Sequence, residues 1–133
     1  MSLDQMRRLC GWHFQLLGEA RLPDYQFGAD LRGFASAEPK KGANVLGVLF
    51  DVDQYCIDAL DEFEGYPDVF KRPEVEVVDS FGHKYKAWIY IQPADQLGGK
   101  TIKDEHMRRI IAGALENRLP EQWIKFLEGF AKS

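Results

Sequence analysis

The feature of the sequence that most constrains the fold is the apolar run at residues 45–50, Val-Leu-Gly-Val-Leu-Phe. The run has the length of a strand and is rich in residues that favour strands, which is typical of a strand buried on both faces. Gly47 within it indicates a bulge or a close approach of backbone or ligand. The Lys-Lys-Gly sequence at residues 40–42 predicts a break before the run. We therefore expect a sheet with cover on both sides of this strand.

Four further segments have the pattern of strands and form two pairs: residues 14–22 with 25–31, and residues 75–78 with 84–91. Pro23-Asp24 is a dipeptide typical of turns and separates the first pair. Residues 79–83, which include Gly82, predict the hairpin turn of the second pair. These segments supply the rest of the sheet.

Two helices are predicted in the first half of the chain from capping residues and the spacing of apolar residues. Ser2-Leu3-Asp4-Gln5 fits a capping box before the first helix, which stops near Gly11. Asp53 suits the N-cap of a short second helix that runs through Phe63. Gly65 is well placed as its left-handed terminator.

Two more helices are predicted near the end of the chain. Residues 101–104 predict the cap of the longest helix, which lies near residues 103–118. Pro120 suits the first position of a last helix, in which three apolar residues share a face: Trp123, Leu127 and Phe130. Strands and helices are both present without strict β-α-β alternation. The order therefore favours one α+β domain over residues 1–133, with a mixed, partly closed sheet or barrel and flanking helices.

Charge and apolar content exclude several partners. Lys plus Arg number 17 against 21 Asp plus Glu, a net charge of −4, so the basic footprint of a nucleic-acid-binding protein is absent. No apolar run approaches the ~18–20 residues that span a bilayer. Arg7 and Arg8 are not followed by the apolar region of a secretory signal. We therefore expect a cytoplasmic protein that binds neither nucleic acid nor a membrane.

Few residues of the sequence suit a metal or a cofactor. Three histidines are scattered without metal-ligand spacing, so we expect no metal and no cofactor: His13, His83 and His106. Cys10 and Cys56 are too few for a disulfide framework and are interpreted as small buried hydrophobic residues. The three tryptophans are expected to pack in the core: Trp12, Trp88 and Trp123.

The segment at residues 60–67 has the clearest chemical signal, because it ends the second helix with three carboxylates and then turns. Glu64 lies one helical turn after Leu60 and borders the apolar stripe, whereas Asp61 and Glu62 point further from the centre of the stripe. Burial and the helix C-terminus both raise the pKa of a carboxyl group, as a general acid or base near neutral pH requires. From these residues alone, a solvated terminal acid stays open as the alternative.

Several motifs in order resemble the γ-glutamylcyclotransferase-like (AIG2-like) family. Leu60-Asp61-x-x-Glu64-Gly65-Tyr66, ten residues after the strand Gly47-Val48-Leu49-Phe50, resembles its signature. Other pieces follow the family order: Ala20-Arg21-Leu22-x-x-Tyr25, Gly42-Ala43-Asn44-Val45-x-Gly47-Val48, Arg72-x-x-Val75-x-Val77, Ala87-Trp88-Ile89-Tyr90-Ile91, and Ile110-Ile111-x-Gly113-Ala114 before Leu119-Pro120. The resemblance covers nearly the whole chain and depends on the ordered set.

The resemblance implies a small mixed β-barrel with flanking helices around a pocket, and Glu64 as the catalytic acid/base. It implies a small γ-glutamyl substrate, whose α-amino nitrogen attacks its own γ-carbonyl to give 5-oxoproline and release an amine or amino acid. Tyr66 in the motif is expected to contact the substrate. Phe70 and His106 are expected to do so as well, although they lie where members carry tyrosines, so each lacks a hydroxyl group.

One part of the family pattern is missing. The family places donors for the substrate in a Tyr-Gly-Ser-Asn loop after its first strand, and residues 1–3 fall just after that position. A misassigned start and a lineage without activity both explain this. Two functions stay open: a cyclotransferase-type enzyme, and a non-catalytic member that binds a small molecule or a protein partner in the same pocket. The missing strand predicts an open edge beside residues 45–50, filled by upstream residues or by a homodimer.

Overall fold

Two long antiparallel strands, β1 (Phe14–Asp30) and β2 (Ala35–Val52), dominate the sheet in the computed structural model, which describes residues 2–131. The two strands predicted at residues 14–22 and 25–31 are therefore one strand, and the predicted turn at Pro23-Asp24 is wrong. The break predicted at residues 40–42 also lies inside a strand.

A large bulge explains both differences. The pairing of β1 with β2 jumps at this point, because residues 40–43 of β2 lie opposite Asp24 alone. Asp24 adopts a left-handed conformation with φ 60°, and its carboxylate accepts a hydrogen bond from the backbone N–H of Gly42 at 2.9 Å. The turn-forming residues thus accommodate extra chain within a ladder that continues on both sides.

The other strands complete a five-stranded sheet in which β3 (Glu74–Asp79), β4 (Lys84–Trp88) and β5 (Leu97–Gly99) join β1 and β2. The order is β2-β1-β3-β4, and β5 pairs with β1; these pairings are antiparallel. The predicted hairpin between β3 and β4 is confirmed, and Asp79 accepts hydrogen bonds from the backbone N–H groups of Phe81 and His83 within its turn.

Among residues 2–131, β2 pairs with β1 alone and is therefore an edge strand. Residues 45–50 are half-buried rather than fully buried on both faces, because part of this segment borders a cavity. Gly47 pairs with Ala20 without a bulge and lines that cavity. The open edge agrees with expectation, and a homodimer through it stays a prediction.

Four helices flank the sheet: α1 (Leu3–Cys10), α2 (Gln54–Glu64), α3 (Asp104–Glu116) and α4 (Glu121–Glu128). The predicted caps of the first two are confirmed, since Ser2 Oγ accepts from Gln5 N and an Asp53 carboxylate oxygen accepts from Cys56 N. The N-cap of α3 is Lys103, which lies within the predicted residues 101–104 but makes no side-chain capping bond. Within residues 2–131, no helix has the length and apolar character to cross a membrane. The structure confirms the α+β class.

The two cysteines are buried as predicted, but they are bonded to each other. A disulfide joins Cys10 at the end of α1 to Cys56 in the first turn of α2. Met6 and Leu60 surround it in a core cluster between these helices. The cysteines lie 46 positions apart, and no local signal predicts their pairing, which depends on the packing of α1 against α2.

The tryptophans are less buried than predicted. Trp12 follows α1 and is 92% exposed, and Trp88 at the end of β4 is half exposed. Trp123 is half-buried in a core cluster with Ile102 and Leu127, which α3 and α4 cover. Trp12 lies in the turn after α1, and Trp88 stacks against the guanidinium of Arg72. Both rings are therefore accommodated at the surface.

Candidate active site

A cavity of about 610 Å³ is lined by parts of β2, the C-terminal end of α2, and helices α3 and α4. Its size lies within the ~300–1,000 Å³ range of sites for small molecules. Its walls are mostly apolar, and the polar side chains that line it include Arg32, Glu64, Tyr90, His106 and Arg109. A few placed polar groups in an apolar cavity are typical of a site that orients a small substrate.

Glu64 ends α2 and lines the cavity, as the position of this residue beside the apolar stripe predicts. Burial raises the pKa of its carboxyl group, because loss of water penalises the charged form. The nearby positive charge of Arg32 opposes that shift in part. A carboxyl group in this setting exchanges a proton closer to neutral pH than an exposed glutamate does.

Gly65 fixes the direction of the chain after Glu64. It adopts the left-handed conformation with φ 73°, and a Cβ atom here would lie 2.8 Å from Cγ2 of Val69. The backbone N–H of Tyr66 then donates to the carbonyl oxygen of Asp61 at 2.9 Å. The predicted terminator is confirmed, and the turn closes α2 at the wall of the cavity.

Asp61 ties the end of α2 to the sheet. Its Oδ1 lies 2.9 Å from Nε of Arg72 and accepts a hydrogen bond from the Tyr90 hydroxyl at 2.5 Å, and its Oδ2 accepts from Arg72 Nη2 at 3.3 Å. Burial, followed by the bond to Asp61, raises the pKa of Tyr90, which therefore keeps its proton. The Arg72 guanidinium also lies over the rings of Tyr66 and Trp88, 4.7 and 4.4 Å from their centroids. Asp61 is thus a structural carboxylate beside the site.

Asp30 shapes the short loop between β1 and β2. Its side chain is 1% exposed, and its Oδ1 accepts the backbone N–H groups of Arg32 and Phe34, both at 2.9 Å. Its Oδ2 lies 3.3 Å from Nε2 of Gln92 and 3.4 Å from Nη2 of Arg32. These bonds hold Arg32 and Phe34 where both line the cavity.

The structure brings together three of the four site residues that the sequence predicts. Glu64, Phe70 and His106 line the cavity, and burial lowers the pKa of His106, which favours the neutral ring. Tyr66 does not line it; its ring packs against Arg72 instead. Within residues 2–131, no group of three or more His, Cys, Asp or Glu side chains is placed to hold a metal ion.

The cavity residues that sequence reasoning missed include Arg32, Phe34 and Tyr90. Arg32 and Phe34 lie in a four-residue connection whose only local signal is the Asp30-x-x-Gly33 turn pattern. Tyr90 lies just beyond β4, in a segment of strand-like composition. No short-range pattern places these residues beside Glu64, so spacing alone could not find them.

Comparison with known proteins places this fold and cavity in one family. The pattern of the "Gamma-glutamyl cyclotransferase, AIG2-like" family matches residues 1–109. A solved gamma-glutamyl cyclotransferase superposes with a TM-score of 0.87 at 18% identity, over 99% of this chain and 83% of that one. An uncharacterised human protein gives 0.80 at 22% identity, over 97% and 82% of the two chains. At these identities the superpositions show the fold.

Two curated relatives match shorter segments. A protein of Methanocaldococcus jannaschii assigned to the gamma-glutamylcyclotransferases is 30% identical over 56 residues, which are 42% of this chain and 47% of the relative. Gamma-glutamylaminecyclotransferase A of Danio rerio is 35% identical over 54 residues, 39% of this chain and 34% of the relative. The matched segments span less than half of each relative.

The fold and the site define an α+β protein with a small-molecule cavity that a half-buried glutamate lines. The family match covers most of the chain. The chain belongs to the gamma-glutamyl cyclotransferase, AIG2-like family.

Proposed function

We propose that the chain converts a γ-glutamyl compound to 5-oxoproline and releases the attached amine or amino acid. The α-amino nitrogen of the substrate attacks its own γ-carbonyl carbon, and the bond from that carbon to the leaving nitrogen breaks. The attacking nitrogen loses a proton and the leaving nitrogen gains one, so no water is consumed. One group that accepts and returns a proton is therefore enough.

Glu64 is the residue proposed for this proton transfer. The observation that carries the proposal is its carboxyl group in the wall of the cavity, with a pKa raised by burial. As a carboxylate it takes the proton from the attacking amine, and as a carboxylic acid it gives the proton to the leaving nitrogen. Tyr90 does not compete for this role, because its raised pKa and its bond to Asp61 keep it protonated.

The apolar walls support the positioning part of the reaction. Phe34 and Phe70 line the cavity beside the polar groups, so the flexible γ-glutamyl chain is held between rings rather than in water. An intramolecular attack gains most of its acceleration from such orientation. The neutral His106 offers one further donor or acceptor without adding charge.

The leaving group defines the substrate class within this reaction. The name of the Danio rerio relative supports γ-glutamyl amines. A γ-glutamyl amino acid and an isopeptide to the ε-amine of lysine present the same γ-glutamyl end. All three classes therefore belong in the test.

The test is release of 5-oxoproline from a panel of γ-glutamyl amines, γ-glutamyl amino acids and the ε-lysine isopeptide. We expect turnover of at least one class by the wild-type chain and its loss in Glu64→Gln. Asp58→Asn is the control, because Asp58 is an exposed carboxylate of the same helix that does not line the cavity. A folded wild-type chain that turns over no member of the panel would contradict the proposal and favour a binding protein.

A further inference from the structure

Helix α1 is too short to be stable without the residues that pack around it. It spans eight residues, and isolated helices shorter than ~12–15 residues are only marginally stable in water. Its buried side chains are Met6, in the middle of the helix, and Cys10, at its end. At its start, the backbone N–H of Leu3 donates to a carboxylate oxygen of the exposed Glu116 at 2.9 Å. The attachment of α1 therefore depends mainly on Met6 and Cys10.

The disulfide between Cys10 and Cys56 joins the end of α1 to the first turn of α2. Both cysteines are 0% exposed, and the ring of Tyr90 packs against the cluster that surrounds them. The hydroxyl of Tyr90 donates to Asp61, which lies three positions before Glu64. The disulfide thus belongs to the same packed unit as the groups that hold the end of α2.

Helix α1 also supplies part of the cavity wall. Gln5 is half-buried and lines the cavity, as Glu64 does at the end of α2. Gln5 and Cys10 belong to one helix, so a movement of α1 away from α2 moves Gln5 as well. The shape of the cavity on this side therefore depends on whether α1 is held against α2.

The two cysteines can exist as a disulfide or as two thiols. In reduction by a dithiol, one thiolate attacks a sulfur of the pair and the second displaces the mixed disulfide, so the dithiol becomes a cyclic disulfide and Cys10 and Cys56 gain two electrons and two protons. Thiols are small apolar groups that a core accepts, and Sγ of Cys10 has the carbonyl oxygen of Cys56 at 3.7 Å as an acceptor. Because both sulfurs are buried, attack requires α1 to move away from α2 first.

Reduction removes a restraint on which α1 depends more than the sheet does. The disulfide closes the chain over 46 positions, and such a link stabilises mainly by restricting the unfolded chain. The long ladder between β1 and β2 remains without it. The short α1 keeps only the packing of a few side chains, so α1 is the element that responds most to the loss of the disulfide.

We propose that Cys10 and Cys56 form a redox-sensitive site that controls the cavity. As a disulfide, the pair holds α1 against α2 and keeps Gln5 in the cavity wall. As two thiols, it lets α1 separate and opens that wall. A dithiol reduces the pair, and a glutathione-type disulfide oxidises it. The effect on turnover rests on the proposed function, whereas the movement of α1 does not.

Hydrogen exchange measured by mass spectrometry follows α1 directly. The wild-type chain is treated with oxidised glutathione or with dithiothreitol, and alkylation after denaturation counts the free thiols in each sample. We expect the amides of α1 to exchange at least about 10-fold faster after reduction, and those of the hairpin between β3 and β4 to change less than about twofold. The melting temperature should fall by about 5–15 °C on reduction.

Two variants separate the disulfide from other effects of the reductant. Cys56→Ala cannot form the disulfide, so it should match the reduced wild-type chain and not respond to dithiothreitol. Met6→Leu is the matched control, because it changes the packing of α1 at nearly constant volume and keeps both cysteines, so it should respond as the wild type does. Equal exchange of α1 in the oxidised and reduced wild-type chain, or two free thiols after oxidised glutathione, would overturn the role of the pair.

Turnover then tests the connection to the cavity. Where turnover is established, kcat/KM should fall about 10-fold on reduction and recover on reoxidation, since displaced walls no longer orient the substrate. Equal turnover in both redox states would overturn the control of the cavity. A chain in which α1 exchanges faster on reduction, yet which turns over no γ-glutamyl compound, would refute the proposed reaction and leave the redox-sensitive site standing.

Discussion

Asp61 and Glu64 are carboxylates in the last turns of the same helix, yet the fold surrounds them differently. They are three positions apart, which turns their side chains about 60° apart around the helix axis. Asp61 faces the sheet, where Arg72 and Tyr90 bond to it. Glu64 faces the cavity, and no hydrogen bond with residues 2–131 stabilises its charge.

This difference separates a carboxylate that ties the helix to the sheet from one that faces the cavity, for which we propose a role in proton transfer. A paired carboxylate stabilises the fold only while its partners remain, because loss of one leaves buried donors unsatisfied. A half-buried carboxylate without such partners has its charged form penalised by the loss of water. Its position is therefore better explained by proton transfer than by stability.

The largest expected effect concerns Glu64, the carboxylate proposed to transfer the proton. Glu64→Gln keeps the size of the side chain but cannot carry the proton, so kcat should fall about 10²–10⁴-fold. The melting temperature should stay equal or rise, since a neutral amide replaces a group whose charge is penalised by burial. Steady-state release of 5-oxoproline and thermal unfolding measure the two effects. Normal turnover in this variant would show that Glu64 is not the acid/base.

The next largest effect concerns Asp61, the carboxylate that ties α2 to the sheet. Asp61→Asn places an amide against Arg72 and Tyr90 and should reduce the free energy of unfolding by about 1–3 kcal/mol. Tyr90→Phe removes one donor of the same cluster and should cost about 0.5–1.5 kcal/mol. Urea unfolding measures both, and Asp58→Asn on the exposed face should change stability by less than about 0.5 kcal/mol. Equal stability of all three variants would argue that Asp61 does not anchor α2.

The smallest expected effect is a pH dependence of stability that comes from Glu64. The pKa of Glu64 is raised in the folded chain, so the folded state binds a proton more tightly than the unfolded state does. Stability should therefore decrease, relative to Glu64→Gln, as pH rises from the ordinary glutamate range through the raised pKa. Thermal unfolding of both proteins between about pH 4 and about pH 7.5, a range that starts near the ordinary glutamate pKa of about 4.3, measures the difference. A constant difference across this range would contradict the raised pKa.

Local rules predicted much of the region around Glu64. The cap at Asp53, the glycine terminator at Gly65 and the apolar stripe between them all involve residues within a few positions of one another. The same range of interaction explains the hairpin between β3 and β4. The period of a helix places Glu64 beside the apolar face, but it does not exclude Glu62, which also lines the cavity.

Local rules also misplaced part of the sheet. Pro23-Asp24 and residues 40–42 consist of residue types that are common in turns. Both segments nevertheless lie within strands, because they face each other across the β1–β2 pairing. Turn residues favour a conformation and do not require a reversal of the chain, since a bulge uses the same left-handed geometry. Which outcome occurs depends on the partner strand, which is distant in sequence.

By itself, the sequence determined the α+β class, the helix that carries Glu64 and the side of that helix on which it lies. Only the tertiary structure decided that Arg32 reaches the same cavity, that Arg72 and Tyr90 bond to Asp61, and that Cys10 is bonded to Cys56. The physical reason is the distance along the sequence over which each kind of interaction acts. Capping, turns and periodicity act over a few residues, whereas these contacts join residues 11 to 46 positions apart and form only when the helices pack on the sheet.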